Sequence, residues 1–453
     1  MPPRPGDILE VTIDTLAYGG QGIARPDDFV LFIRGAVPGD TVRVQVTKRK
    51  KGYGQARVLE IIEPSGVRVA PPCRHAADCG GCEWQSLAYS AQLEFKEQQV
   101  HESLEHIGGL SGYERRPIIG MAEPWRYRNK MEFSFGTSDG RLVLGLHRRN
   151  SWREIVELEE CLLAPVAVDK ARQAVVDACR DLGLAAHDQR SHTGLLRHLQ
   201  VRHGRASDDL FLNLFVSARF AAEKDLAARV AAVQPYTSFA ITVNDSLGDA
   251  ATGDGPHMIE GPDFFREELA GVRLHVPATA FLQTNSQVCD VLYRTALEFA
   301  DPDAERDAYD LYCGIGSISL VLARQAGHVH GIEIQPEAIV AAQKNARLNG
   351  IENVTFAAGD VRRLLKELLA ASPAPPAVVV VDPPRAGMAR KSVDRAAGLG
   401  ADRIVYVSCN PTTLAANGAQ LAELGYRLAR VAPVDMFPQT HHIETVALFE
   451  KQV

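Results

Sequence analysis

No apolar stretch in the sequence approaches the roughly 20 residues that a membrane-spanning helix needs, so no membrane partner is expected. The opening MPPRPGDILEV lacks the apolar core of a secretory signal, and a cytoplasmic location is expected from that. Thiols stay reduced in that compartment, so the eight cysteines read as free thiols or metal ligands before disulfides. Excess basic charge is missing as well: a net charge of −7 does not by itself point to nucleic acid. Internal repeats and long disordered tracts are absent, which removes repeat architectures.

What the chain does have is length and apolar content. Its 453 residues, 46% of them hydrophobic, suffice for two or three cores. Residues 1–62 alternate apolar and polar positions in short runs such as TVRVQV, broken at glycines. That pattern predicts a small β-barrel of the oligonucleotide-binding type. With AYGGQGIAR as its most specific part, this segment resembles a TRAM domain, which implies RNA binding. Residues 63–276 open on a cysteine cluster, and a helical stretch follows, LAYSAQLEFKEQQVHESLEHIGG. Its Leu93, Val100, Leu104 and Ile107 fall on one helical face. The runs KMEFSFG, RLVLGLH, LRHLQVRHG and LFLNLFV then predict a central α+β unit with a largely antiparallel sheet. Residues 277–453 alternate strand and helix, which predicts a doubly wound, Rossmann-like α/β sheet with ligands beyond its C-terminal strand ends.

In DLYCGIGSISL a strand ends in a glycine turn that opens a helix. Gly314 and Gly316 permit the tight turn and the close approach of a ligand. Glu333, closing the strand of GIEI, can accept both hydroxyls of an adenosine ribose. Asp360, after the third strand, suits an adenine amino group. NAD and S-adenosylmethionine both fit, although the third glycine of the dinucleotide motif is missing. VVVVDPPRAG decides between them. Four valines mark a strand buried on both faces, and Asp382 at its end projects into the crevice. D-P-P after a fourth strand is typical of methyltransferases acting on planar groups of bases and has no part in hydride transfer. S-adenosylmethionine is therefore the expected cofactor.

VSCNPTTLA places Cys409 at the end of the fifth strand, with Asn410 as helix cap and Pro411 in the first turn. A strand-end cysteine can simply be a packed core residue. A nearby positive helix end, however, favours thiolate. A thiolate that adds to C6 of a pyrimidine turns C5 into an enolate carbon able to take a methyl group. A base must then remove the C5 proton. Glu444 in MFPQTHHIETVALFE is the candidate, with His441 and His442 as chemical rivals.

FLQTNSQ, DLYCGIGSISL, VVVDPPRAGM, VYVSCNPTTLAAN and MFPQTHHIETVALF together resemble the RNA 5-methyluridine methyltransferases, over the whole C-terminal segment. The resemblance implies a class I methyltransferase fold, Cys409 as nucleophile and Glu444 as proton acceptor. It implies that Gln283, Tyr312, Glu333 and Asp382 contact the methyl donor or line its site. Ser317 stands where the family often has asparagine, which puts a contact from that side chain in doubt. The family's T-L-A-R-D is here T-L-A-A-N, a change expected on a helix surface only.

PPCRHAADCGGCEWQ sets Cys73, Cys79 and Cys82 in a tight glycine-containing loop, and Cys161 is the best fourth thiol. Four such thiols suit zinc or an iron–sulfur cluster, which spacing alone does not separate. The resemblance implies a [4Fe–4S] cluster bound by Cys73, Cys79, Cys82 and Cys161; from the sequence itself, His75 is the alternative ligand if Cys161 is not one. Cys179, Cys289 and Cys313 read as packed residues. For the RNA, Lys48 to Lys51 and the cations Arg126, Arg128 and Lys130 are candidate phosphate contacts, with Trp125 and Tyr127 as stacking or core groups. The expected substrate is 23S rRNA, with tRNA as the alternative and no obligate protein partner. Two rivals stand beside this: methylation of an adenine amino group, and an iron–sulfur RNA-binding factor without catalysis.

Overall fold

The computed structural model describes residues 2–248, 250–371 and 374–452, and among these the chain forms four sheets. The first contains β1 (Ile8–Thr12), β2 (Thr15–Leu16), β3 (Gly22–Ala24), β4 (Val30–Arg34), β5 (Thr41–Arg49) and β6 (Tyr53–Glu63), in the order β1-β5-β6-β4-β3-β2. The alternation in TVRVQV works as expected: Val42, Val44 and Val46 are buried with Leu31 and Ile33, while Arg43 faces solvent. Leu16 of β2 and Val37, between β4 and β5, pack with Trp84 and Leu87, so the barrel leans on the segment that follows it.

Helix α1 (Tyr89–His106) corrects the sequence reading of its face. Val100 and Leu104 are fully buried, but Leu93 is only half-buried and Ile107 is 55% exposed. The buried side is largely polar: Gln92, Lys96, Gln99 and Ser103. Lys96 Nζ meets Asp435 Oδ1 at 2.6 Å, both side chains fully covered, and also donates to the Phe437 carbonyl. Gln92 donates to the Trp84 and Leu87 carbonyls and to Gln439 Oε1. A hydrophobic-periodicity argument cannot see a face built from hydrogen bonds. Removing one partner from such a buried pair costs about 3–5 kcal/mol, because the other charge stays buried and uncompensated.

The second sheet holds β8 (Lys130–Ser138), β9 (Arg141–His147), β10 (Ile155–Glu157), β11 (Leu196–His203), β12 (Leu210–Val216), β13 (Ser238–Val243) and β14 (His257–Glu260). Its order is β10-β9-β8-β11-β12-β13-β14, antiparallel except between β12 and β13. Helices α2 (Val166–Asp181) and α3 (Glu223–Val233) pack against each other beside it. A hairpin of β15 (Phe264–Leu269) and β16 (Val272–Pro277) follows.

The remainder alternates α4 (Ser286–Ala300), β17 (Asp307–Leu311), α5 (Ser317–Leu322), β18 (His328–Glu333), α6 (Pro336–Leu348), β19 (Val354–Ala358), α7 (Val361–Ala370), β20 (Val378–Val381), α8 (Arg390–Gly398), β21 (Arg403–Ser408), α9 (Pro411–Glu423), β22 (Tyr426–Val434) and β23 (Glu444–Lys451). The sheet order is β19-β18-β17-β20-β21-β23-β22, extended by β7 (Glu114–Arg115) at the β22 edge. All four valines of β20 are inaccessible, as a central parallel strand requires. Segment 63–276 is thus shared: its α1 packs on α9, and its β7 pairs with β22. Among the described residues no helix is long and apolar enough to cross a membrane.

Candidate active site

The C-terminal ends of β18, β17, β20 and β21 form one rim, and β23 runs antiparallel beside β21. This register sets the geometry. Ser408 pairs with Thr445, so the next pair outward along the two strands is Cys409 with Glu444. Leu311 pairs with Val381, which sets Tyr312 beside Asp382.

At the glycine turn, Tyr312 adopts φ +70°, and Gly314 and Gly316 adopt +54° and +82°. A side chain on Gly316 would strike the Phe356 ring, whereas Gly314 faces open space. The Gly314 amide donates to Glu333 Oε2 at 3.2 Å, and the Gln335 amide donates to Oε1. Tyr312 is near enough to Asp360 and Glu333 that both charges, after burial, raise its phenol pKa. Asp360 is also the N-cap of α7, accepting from the Arg363 amide at 2.9 Å. Ser317 turns inward to Tyr293, hydroxyl to hydroxyl at 2.9 Å. In the next layer Ser319 donates to Asp310, whose pKa burial lifts to about 7.

Asp382 is likewise pushed up to about 7, by burial and then by the Asp310 charge, while a hydrogen bond from Gln283 opposes the rise. Gln283 is itself buried, and its carbonyl accepts from Asn129 at 2.9 Å. The segments at these strand ends, with the one before α4, therefore bring Gln283, Tyr312, Glu333, Asp360 and Asp382 to one stretch of rim.

Cys409 is half-buried, and Asn410 caps α9 as expected: its Oδ1 accepts from the Thr412 amide and hydroxyl. Asn410 also donates to the Arg385 carbonyl, fastening the D-P-P-R loop to the thiol. The helix end that favours thiolate is outweighed here. Burial, then Glu444 and Asp382, push the Cys409 thiol up to about 12, and Arg385 only partly offsets them. A helix end contributes a fraction of a charge, which does not overcome burial beside carboxyl groups. Glu444 is 2% exposed, and burial and Asp382 hold its pKa well above the ordinary value. Its Oε2 is buried with no hydrogen-bond partner. Burial therefore favours the neutral form of both Cys409 and Glu444.

This makes a prediction. Without RNA, iodoacetamide should label Cys409 about 10²-fold more slowly than an ordinary thiol at pH 8, even allowing for the stronger nucleophilicity of a basic thiolate. The rate should climb with pH through pH 10 without a plateau. Peptide mapping of labelled protein measures it, and a plateau below pH 9 would contradict the high thiol pKa.

The rival bases are poorly suited. His441 is bound to Glu83. His442 is lowered to about 4 by burial, then by His441 and Arg385, so it is a weak base.

Two participants escaped the sequence reading. Tyr18, in the loop between β2 and β3, donates its hydroxyl to the Cys409 carbonyl at 3.3 Å, and Arg385 hydrogen-bonds the same phenol. AYGGQG marked the barrel, but no local signal pointed across 391 residues. Asn417, expected on a helix surface, is buried. Its Oδ1 accepts from the Met388 amide and the Tyr406 hydroxyl, each at 2.8 Å, pinning α9 to the segment after D-P-P-R.

Elsewhere, Cys73, Cys79, Cys82 and Cys161 line one cavity of about 340 Å³. Arg149 holds the loop closed by donating to the Ala76, Cys79 and Cys82 carbonyls. Asp169 accepts from the Cys161 amide. His75 is already engaged, its Nε2 accepting from the Glu159 amide, which weakens it as a substitute ligand. Among the described residues no group of three or more His, Cys, Asp or Glu is arranged to hold a metal ion. Cys179, Cys289 and Cys313 are buried, as expected.

The cationic patches divide. Lys48 to Lys51 are all exposed. Arg126, in contrast, donates to the Cys161 and Ala164 carbonyls and to Asp169 and Glu160, so it braces the cysteine segment. Lys130 pairs with Glu132 at 2.6 Å. Tyr127 is buried and donates to the Pro438 carbonyl, a core role and not a stacking one.

The sequence matches two family models: tRNA (Uracil-5-)-methyltransferase over residues 263–452, and the TRAM domain over residues 3–59. An uncharacterized RNA methyltransferase of Halalkalibacterium halodurans is 40% identical, covering 99% of this chain and 98% of its own. One of Gloeobacter violaceus is 38% identical over 99% of both chains. The fold is similar to the crystal structure of the Pyrococcus abyssi tRNA (uracil-54, C5)-methyltransferase in complex with S-adenosyl-L-homocysteine. That match has a TM-score of 0.78 and 25% identity, and covers 97% of this chain and all of the other.

Proposed function

From the premise that the chain belongs to the tRNA (uracil-5-)-methyltransferase family of RNA methyltransferases, we propose that it methylates uracil C5 in RNA through Cys409 and Glu444. The observation that carries this is the rim register, which puts a thiol and an unpartnered carboxyl side by side, one strand from Asp382. A second support is the relative of known structure, whose ligand is the demethylated form of S-adenosylmethionine.

The residues present fit that cofactor. Gly314 leaves open space at a tight turn, and Tyr312, Glu333 and Asp360 surround it with a ring and two carboxylates. These groups would hold the adenosine, with Gln283 and Asp382 towards the reacting end. The cofactor supplies an electrophilic methyl group. The chain supplies the rest. A uridine extruded from the RNA reaches the rim. The Cys409 proton passes to solvent water, and Arg385 is the cation whose charge favours the thiolate. Sulfur bonds to C6, and the C5–C6 electron pair moves onto C5 and the O4 carbonyl. C5 takes the methyl group. Glu444, its own proton passed to solvent water, takes the C5 hydrogen as a proton; the C5–H electron pair re-forms the C5–C6 double bond, and the C6–S bond breaks to release the thiolate.

The four thiols, soft donors around one cavity, fit the [4Fe–4S] cluster, which would brace the loop that Arg149 and Arg126 already hold. Anaerobically purified protein should be brown, with about four iron and four sulfide per chain. Cys161→Ser should lose the colour and much of the melting stability. A colourless, zinc-containing preparation would overturn the assignment. The exposed Lys48–Lys51 run supports RNA binding by the barrel, and we assign 23S rRNA as substrate ahead of tRNA because the barrel and the proposed cluster's four cysteines stand in one chain. Mapping 5-methyluridine in rRNA and tRNA from cells with and without the protein tests the assignment directly. A lost site in tRNA alone would transfer it to tRNA, and no lost site in either would reject it.

A further inference from the structure

The stretch AYGGQ, residues 17–21, is the whole loop between β2 and β3 of the barrel. It turns on itself: the Ala17 amide donates to the Gln21 carbonyl at 2.8 Å, and the Gly20 amide donates to the Ala17 carbonyl at 3.0 Å. Gly20, at φ +80°, has no room for a side chain, because a Cβ there would lie 3.0 Å from Trp84 Nε1 and 3.2 Å from His441 Cβ. Before Tyr18, Gln99 of α1 donates to the Leu16 and Ala17 carbonyls. The loop is therefore fastened on both sides of Tyr18, and it carries a barrel side chain to the catalytic rim.

There the phenol's one hydrogen goes to the Cys409 carbonyl at 3.3 Å, so its oxygen is left to accept from Arg385. Burial raises the Tyr18 pKa, which keeps the ring a neutral donor. Arg385 is held in two parts. Its backbone carbonyl accepts from Asn410 Nδ2 at 3.2 Å, but its side chain is exposed. An exposed arginine samples many rotamers unless a partner fixes it. The groups facing the Cys409 thiol are Asp382 and Arg385 from beyond β20, Glu444 from β23, Tyr406 from its own strand, and Tyr18 from the barrel. Arg385 is the cation among them, and its charge favours the thiolate only while the guanidinium stays close to the sulfur.

We propose that Tyr18 is a positioning residue of the methyl-transfer reaction: its hydroxyl, tied to the Cys409 backbone, holds the Arg385 guanidinium where its charge acts on the sulfur. The barrel then completes the catalytic centre and is more than a grip on RNA. The phenol itself neither gives up nor takes a proton in this role. The inference rests on the reading of Cys409 as the nucleophile.

The test alkylates Cys409 in the full-length holoprotein with iodoacetamide, without RNA or methyl donor, and reads the site by peptide mapping. Without a held cation the thiol pKa rises, so less thiolate is present at any pH below it, while the thiolate that does form is more nucleophilic. Tyr18→Phe, which deletes only the hydroxyl, should therefore slow labelling about threefold. The factor should be the same at pH 8 and pH 9, because both proteins remain below the thiol pKa. Arg385→Gln should slow labelling at least as much, and adding Tyr18→Phe to it should change nothing further. With RNA and methyl donor, Tyr18→Phe should lower kcat by about the same factor and leave KM for the RNA within about twofold. Loosened packing cannot mimic this, since exposing a half-buried thiol speeds its labelling. Parent-like or faster labelling of Tyr18→Phe would overturn the proposal. So would an equal slowing by Tyr18→Phe in the presence and absence of Arg385, which would mark a phenol that does not act through the cation. Failure of the nucleophile reading looks different: Cys409→Ala would keep methylating RNA, whatever the labelling rates.

Discussion

Cys409→Ala should abolish methyl transfer, by at least about 10⁴-fold, while binding of S-adenosylmethionine stays within about twofold of the parent. The separation follows from where the groups sit. Tyr312, Glu333 and Asp360 surround the glycine turn at β17 and β18, whereas Cys409 ends β21. Removing the half-buried sulfur deletes no packing that the turn needs. Without the thiol, C5 of uracil has no electron density to attack with, and no residue beside it can substitute. Serine should not rescue, since an alkoxide is far less accessible than a thiolate. Tritium-labelled methyl transfer measures the loss, and equilibrium dialysis of the donor measures the binding. Retained methylation would shift the chemistry to a group that needs no covalent addition, such as an adenine amino nitrogen.

Glu444→Gln should fail later, and visibly. Addition and methyl transfer do not require the carboxylate, but loss of the C5 proton does. Turnover should fall about 10²–10⁴-fold, with a covalent protein–RNA species carrying the new methyl group and surviving a denaturing gel. Glutamine keeps the shape of a side chain that is 2% exposed, and it replaces an oxygen that has no partner, so the fold should be undisturbed. Adding Cys409→Ala to the same protein should remove the adduct. Normal turnover with no adduct would assign the proton to another acceptor. His442 is a poor one, its pKa near 4.

The legible parts of the molecule are those where one period or one motif dominates. TVRVQV, VVVV and the strand ends at Asp382 and Cys409 could be placed because alternation, full burial and turn chemistry each leave a mark within ten residues. What stayed hidden depends on partners far along the chain. Arg126 looked like a phosphate contact until Glu160, Asp169 and two carbonyls claimed it. Asn417 looked like surface until Met388 and Tyr406 closed over it. The protonation of Cys409 is open in the sequence for the same reason. Its helix cap is local and readable, but the burial and the carboxyls that outweigh the cap come from other strands.

The polar face of α1 bears on how the chain can be made. Lys96 has its counter-charge on Asp435, 339 residues later, and Gln92 is matched by Gln439. A ribosome that has released α1 must still synthesise almost the whole catalytic sheet before that face finds its partners. Until then a lysine meant for the interior is held in water. The helix therefore acts as a completion check: a chain truncated before residue 435 leaves α1 loose, and a docked α1 reports that the last strands have arrived.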